Sequence, residues 1–419
     1  MYNMAIVING GKQLSGIVKI SGAKNAALPE LAAAILSSDE FEFEGVPEVE
    51  DIKVMFKALK KIGAEGEFIN NKIRIRIPLL RSGLVPKDIV ETSRASILIL
   101  GPLIARNGYA KVSLPGGCPI GDRKIDFHFQ GLRKMGATIN IEKGYIIAES
   151  NKLKGIEYAF PNKSVTGTEN LLMAATLAEG ETILTNCALE PEISDLINLL
   201  SNMGADIKRE ENDSLIIKGK TTLKGSKHKI IPDRIEMGTY VIAGCLLDNE
   251  IIVENAIPEY IKSLLNVLKN MGVKIVIDKN RIKVNPADNI LPVNVETKPY
   301  PGFPTDLQAQ LTTLLTQANG VSRIQENIFN RRFKHVNELN KLGANIDIKG
   351  NTAIIKGKTE LRGKVIKSTD LRASASLVLG GLIAKGETIV EDSYQLFRGY
   401  ENMPEKLNQL GANIKLIKR

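Results

Sequence analysis

Apolar positions along the chain fall into two kinds of helix and one kind of hairpin, and the grouping recurs six times. A motif Leu-x-x-(Met/Leu/Ile)-Gly-(Ala/Val) puts a glycine at Gly63, Gly136, Gly204, Gly272, Gly343 and Gly411, at intervals of 68 to 73 residues. Each motif reads as the end of an amphipathic helix, closed by a glycine in the left-handed conformation. Most are followed by two alternating strands across a polar turn, as in 346–348 and 353–355 around Gly350-Asn351. About forty residues before each glycine lies a second helix, rich in Ala and Leu, predicted over 26–37, 97–105, 171–178, 241–247, 307–316 and 373–384. These segments are apolar nearly all round, so they belong in an interior. A short strand usually follows, as at 181–184 and 387–390. Strands alternating with helices at a fixed long period predict an α/β protein built from repeats.

A chain of 419 residues exceeds what one hydrophobic core usually supports. Six repeats divide naturally as three plus three, with the join near 218–233, where Lys224-Gly225-Ser226-Lys227-His228-Lys229 is polar and basic. Ligands are then expected in a cleft between two lobes. A solenoid would demand more uniform repeats with distinct caps.

The net charge of +9 favours anionic partners. Lys and Arg are scattered, without a basic tail or an aromatic-basic block, which favours phosphorylated metabolites over nucleic acid. Three cysteines without paired spacing and three histidines far apart in sequence give no reason to expect a disulfide framework or a metal site. The first ten residues lack a basic segment followed by an apolar one, and no uncharged run reaches membrane-spanning length. A soluble protein of the reducing cytoplasm is expected.

Repeats share a scaffold, so their differences mark candidate chemistry. The inner helices open on Ser21-Gly22-Ala23-Lys24-Asn25, Thr92-Ser93-Arg94, Ser164-Val165-Thr166-Gly167, Gly302-Phe303-Pro304-Thr305-Asp306 and Thr369-Asp370-Leu371-Arg372. Capping suits Ser21, Ser93 and Thr369, and it is the default reading of Asp306. Capping does not account for Lys24, Arg94 and Arg372, because a cation opposes the dipole at a helix N-terminus. Cations kept there point to an anionic ligand. Before three of the outer helices the loops carry Arg123, Arg331-Arg332 and Arg398, suited to bidentate contacts with phosphate or carboxylate. The segment Pro115-Gly116-Gly117-Cys118-Pro119-Ile120-Gly121-Asp122-Arg123 is a loop. A cysteine there, near an arginine, suits an exposed thiolate, whereas Cys187 and Cys245 sit in apolar runs as small fillers.

Together with Ser21–Pro29, Gly302–Asp306, Thr369–Ser374 and Arg398-Gly399-Tyr400-Glu401, that loop resembles the enolpyruvyl transferases, specifically the UDP-N-acetylglucosamine 1-carboxyvinyltransferase family, over essentially the whole chain. The resemblance implies a two-lobed inside-out α/β barrel of six repeated units, with pseudo-threefold symmetry in each lobe. It implies one lobe over 22–229, carrying the cysteine loop, a second over 1–21 and 230–419, and an active site in the interlobe cleft. The implied reaction transfers the enolpyruvyl group of phosphoenolpyruvate to UDP-N-acetylglucosamine, without metal or cofactor, in a cytoplasmic monomer. Asp306 then matches the acceptor of the hydroxyl proton and Cys118 the proton donor and covalent nucleophile. Lys24, Arg123 and Arg398 match the cationic clamp on phosphoenolpyruvate. Asn25, Arg94, Ile328, Arg332, Asp370 and Leu371 match further site positions. Lys124, Ile125, Asp126, Phe127 and His128, with Lys163, Val165, Thr166 and Gly167, match contacts to the uridine nucleotide. The nearest alternatives are a transferase using a shikimate phosphate acceptor, against which the cysteine loop argues, and a non-catalytic UDP-sugar binder, against which Lys24, Cys118 and Asp306 argue.

Overall fold

The computed structural model describes residues 4–81, 83–85, 94–114, 120–121, 125–210, 213–247, 250–285 and 289–418. All six motif glycines have positive φ, from 84° at Gly272 to 117° at Gly63. That conformation ends a helix at no steric cost only when no Cβ is present. Two kinds of helix alternate along the chain. The inner ones are α1 (Lys24–Ala33), α3 (Leu100–Asn107), α5 (Val165–Ala175), α7 (Arg234–Gly244), α9 (Gln308–Leu315) and α11 (Leu371–Ile383). The outer ones are α2 (Glu50–Ile62), α4 (Asp126–Lys134), α6 (Pro191–Asn202), α8 (Lys262–Asn270), α10 (Lys334–Lys341) and α12 (Met403–Gln409).

The inner helices are buried on every side, as their all-round apolar sequences require: α1 buries every residue except Asn25, and α11 every residue except Leu371. Several begin earlier than the apolar runs suggest, α5 at Val165 rather than 171 and α7 at Arg234 rather than 241. The first turn of α7 is buried although it carries Arg234 and Glu236, and only a hydrogen-bonded interior tolerates that. Capping also falls on different residues from those expected. Ser164, Asp233 and Asp370 cap α5, α7 and α11 through backbone N–H groups. Thr369 is not the cap of α11, and α1 has no side-chain cap: Ser21 instead accepts a hydrogen bond from Lys406 Nζ at 2.7 Å and donates to Glu401 Oε2.

Among the described residues the strands form six four-stranded sheets. In the third repeat a leading strand, Glu157–Ala159, runs parallel to Glu181–Thr185, which pairs antiparallel with the hairpin strand Ser214–Lys218, and Asp206–Glu210 completes the sheet. Two leading strands are exchanged. Ser15–Lys19, which precedes α1, pairs with Glu250–Glu254 of the fourth repeat, and Lys227–Lys229, which precedes α7, pairs with Glu40–Glu44 of the first. The sixth sheet is completed by the chain's beginning: Met4–Asn9 lies between Glu387–Glu391 and Ile414–Lys418, antiparallel to both. The chain accordingly divides into an N-terminal lobe, Gly22–Gly117 with Arg123–Ile231, and a C-terminal lobe, Met1–Ser21, Cys118–Asp122 and Pro232–Arg419.

Each lobe has its own core. One includes Leu31, Phe41, Phe43, Leu171 and Leu196; the other includes Ile6, Ile8, Tyr240, Leu311 and Leu377. In each lobe the inner helices are central and three sheets lie outside them, typically with one apolar face inward, as in the alternating exposure of Lys72–Arg76. This is an inside-out α/β fold. No described helix is long and apolar enough to cross a membrane.

Ile8 is fully buried in the strand that closes the sixth sheet. Ile8→Ala is expected to cost about 2–5 kcal/mol and to speed amide exchange in 387–391 and 414–418 without affecting the sheets of the N-terminal lobe. Unchanged exchange in those strands would mean that Met4–Asn9 does not hold the sheet together.

Candidate functional site

In the C-terminal lobe, Asp306 gathers two other candidate elements. It sits in a 3-10 turn, Thr305–Leu307, ahead of α9, and is not an N-cap: the residue before that turn is Pro304. Its Oδ1 accepts from Arg332 Nη2 at 2.8 Å and its Oδ2 from Arg372 Nη2 at 3.0 Å. The two guanidinium groups are almost fully buried, while the carboxylate keeps 26% of its side-chain surface. Burial alone would make Arg372 easier to deprotonate, and the adjacent Asp306 carboxylate reverses this, so Arg372 keeps its proton. Arg372 also lies over the Tyr400 ring, 5.4 Å from its centroid. Tyr400 in turn bonds Thr239 and Gln310 at 2.9 Å each. The cation at the start of α11, read in the sequence as a sign of an anionic ligand, is thus matched by a carboxylate of the protein itself. Asp370 caps the same helix, Ile328 donates its N–H to Glu326 at 2.8 Å, and partly exposed Arg398 donates to Gln395 at 3.1 Å. Beneath Arg332 the imidazole of His335 is wholly buried, and burial pushes its pKa down to about 4.

In the N-terminal lobe, Lys24 opens α1 and pairs with Asp51 of α2 at 3.1 Å, both nearly buried. Asn25 beside it is the one partly exposed residue of that helix. Lys163 is held by Asp213 and by the carbonyl of Cys187, at 2.9 Å each. It stands ahead of α5, whose first turn carries Val165, Thr166 and Gly167; Ser164 accepts the N–H of Gly167 at 3.2 Å. Helix starts of this kind offer backbone donors to anions. Ile125, Asp126 and Phe127 lead into α4, and buried His128 reaches Thr166 at 3.3 Å, so the structure joins these two candidate segments. Cys118, Arg123 and Lys124, and the side chain of Arg94, lie outside the described residues. Just past the cysteine, the carbonyl of Ile120 accepts the N–H of Arg331 at 3.0 Å within the C-terminal lobe.

Sequence reasoning missed the carboxylates that hold the cations, Asp51 and Asp213, because both are remote in the chain. Among the described residues it also missed one group able to hold a metal. His228 Nε2 lies 3.2 Å from Asp195 Oδ1 and 3.4 Å from Glu30 Oε1, all three almost fully buried. The histidines were judged only against one another, whereas these partners are carboxylates. An acidic residue, Glu30, inside the apolar α1 was the available signal. Burial raises the Glu30 carboxyl well above its usual range. Burial would lower His228, but Asp195 and Glu30 lift it to about 10, so an imidazolium can be shared between the two carboxyl groups. Cys187 and Cys245 are buried, and burial pushes the Cys187 thiol up to about 12 and Cys245 higher still, which suits fillers rather than nucleophiles.

The chain belongs to the EPSP synthase (3-phosphoshikimate 1-carboxyvinyltransferase) family, whose model matches residues 8–407. Within it, the chain is 50% identical to the UDP-N-acetylglucosamine 1-carboxyvinyltransferase of Koribacter versatilis over 98% of this chain and 96% of that one. It is 48% identical to the enzyme of the same name from a Nitratiruptor species, over 98% of each. Among solved structures, the enolpyruvyl transferase NikO of Streptomyces tendae has the same fold, with a TM-score of 0.90 at 24% identity over the whole of both chains.

The His228 cluster makes a pH prediction. Both Glu30 and His228 bind protons more tightly in the folded lobe than in an unfolded chain, so stability falls as pH rises. The His228 contribution is complete below about 6.5 and lost as pH passes about 10. Thermal unfolding of the wild type should lose stability over that window, and His228→Gln should flatten the loss. Equal slopes in both proteins would refute the shared imidazolium.

Proposed function

We propose that the protein transfers the enolpyruvyl group of phosphoenolpyruvate to the 3′-hydroxyl of UDP-N-acetylglucosamine and releases phosphate, the first committed step of peptidoglycan synthesis. The observation that carries this reading is near-half identity, across 98% of the chain, to relatives bearing that enzyme's name. The residues then take these roles. Asp306, an acceptor oriented by two guanidinium groups, takes the proton of the sugar hydroxyl while its oxygen attacks C2 of phosphoenolpyruvate. Cys118 delivers a proton to C3, which gives a tetrahedral intermediate. Loss of a proton from C3 and departure of phosphate from C2 then restore the double bond. Lys24, Arg123 and Arg398 stabilise charge on the phosphate and carboxylate, where fixed cations outperform water.

Asn25, Arg94, Ile328, Arg332, Asp370 and Leu371 line the reacting centre, and 124–128 with Lys163, Val165, Thr166 and Gly167 hold the uridine nucleotide. In that scheme Lys163 exchanges part of its bond to Asp213 for the diphosphate. A cytoplasmic location fits the unpaired, buried thiols of Cys187 and Cys245.

Phosphate release from phosphoenolpyruvate should require UDP-N-acetylglucosamine and should not occur with shikimate 3-phosphate. Release with the shikimate ester instead would reassign the acceptor, and release with neither would leave a binding protein. Cys118→Ala and Asp306→Asn, measured separately, should each lower kcat by about 100-fold or more. Near-normal turnover in either variant would remove that residue from the mechanism.

A further inference from the structure

Asn170 is a fully buried amide among Leu171, Leu172 and Met173 of α5. A primary amide is tolerated in such surroundings only when its donors and acceptor are used. Here they are. Oδ1 accepts the N–H of Gly101 at 2.6 Å, and Nδ2 donates to the carbonyl of Ile97 at 2.9 Å. The approach is so close that a Cβ on residue 101 would stand 2.2 Å from Oδ1 and 2.5 Å from the Asn170 carbonyl, which is why glycine is required there. These two bonds fix which end of the amide is oxygen, since a flip would set N–H against N–H and oxygen against oxygen.

The remaining Nδ2 hydrogen faces His128 Nδ1 at 2.8 Å. Nδ1 must therefore accept, which an imidazolium cannot do, so the ring is neutral with its proton on Nε2. Nε2–H donates to Thr166 Oγ1 at 3.3 Å. The Thr166 side chain is on an exposed residue of the first turn of α5. Its oxygen is engaged as an acceptor, and its own proton is left to donate outward.

We propose that Asn170 is a specificity-determining positioning residue: acting through His128, it turns the Thr166 hydroxyl proton away from the ring, so that Thr166 presents a donor to an acceptor oxygen of the nucleotide. The proposal rests on the assignment of 125–128 and 163–167 to the nucleotide. The same amide ties the start of α5 to α4 through His128, and to the turn Arg94–Ile99 and α3 through Ile97 and Gly101. One buried side chain thereby sets the register of three candidate segments.

Long-range proton–nitrogen NMR on the 15N-histidine-labelled protein reads the tautomer directly. With only His128, His228 and His335 present, a His128→Gln sample assigns the signals. His128 should appear as the neutral Nε2–H form at neutral pH, and in Asn170→Asp it should lose that form because a carboxylate cannot donate to Nδ1. An Nδ1–H ring or an imidazolium in the wild type overturns the proposal. Thr166→Val, at an exposed position that does not threaten folding, should raise KM for UDP-N-acetylglucosamine about tenfold, with kcat and KM for phosphoenolpyruvate within about twofold. An unchanged KM in an active enzyme overturns the specificity role while sparing the proposed function. A wild type that neither turns over nor binds the UDP-sugar overturns that function instead, and the specificity role with it.

Discussion

Everything distinctive in this protein follows from helices that are buried on all sides. A helix can be buried that way only if its side chains are apolar and its first turn, with four unsatisfied N–H groups, finds partners inside the protein. The apolar requirement produces the runs of Ala, Leu and Ile. The second requirement produces Ser164, Asp233 and Asp370 as caps, and gathers Asp306, Arg332, Arg372 and Tyr400 around the starts of α9 and α11. Polar groups elsewhere in the inner layer, such as Asn170, Thr239 and Gln310, are tolerated where other buried groups satisfy them.

The same constraint explains why cations at helix N-termini are tolerated. Lys24 and Arg372 oppose the helix dipole, yet each sits against a carboxylate, Asp51 or Asp306, with little water to screen the attraction. Such pairs are costly to break by removing one partner. A ligand that competes for either cation must therefore bring comparable charge, which phosphate and carboxylate groups do.

Much of the architecture was legible in the sequence because it is written in period. The six motif glycines marked the outer helix ends, and the all-round apolar runs marked the inner helices. The leading strands were illegible: Glu157–Ala159, Lys227–Lys229 and their counterparts at Asn294–Glu296 and Val365–Lys367 are three residues long, too short to show an alternation. Of the candidate site, types and positions were readable, but pairings were not. Asp306 meets Arg332 and Arg372 from 26 and 66 residues away, and only the fold brings such partners together. Polar residues inside the inner helices, Glu30 and Asn170 among them, were signals that a reading focused on helix starts passed over.

The insertion of Met4–Asn9 between Glu387–Glu391 and Ile414–Lys418 bears on how the chain folds as it is made. The N-terminal lobe draws only on residues emerging between 22 and 231, so it can fold while synthesis continues. The strand Met4–Asn9 must wait, unpaired, until Glu387–Glu391 and Ile414–Lys418 have been made. For the intervening time that strand is an apolar edge without a sheet, and the sixth sheet is complete only once both of its distant partners exist.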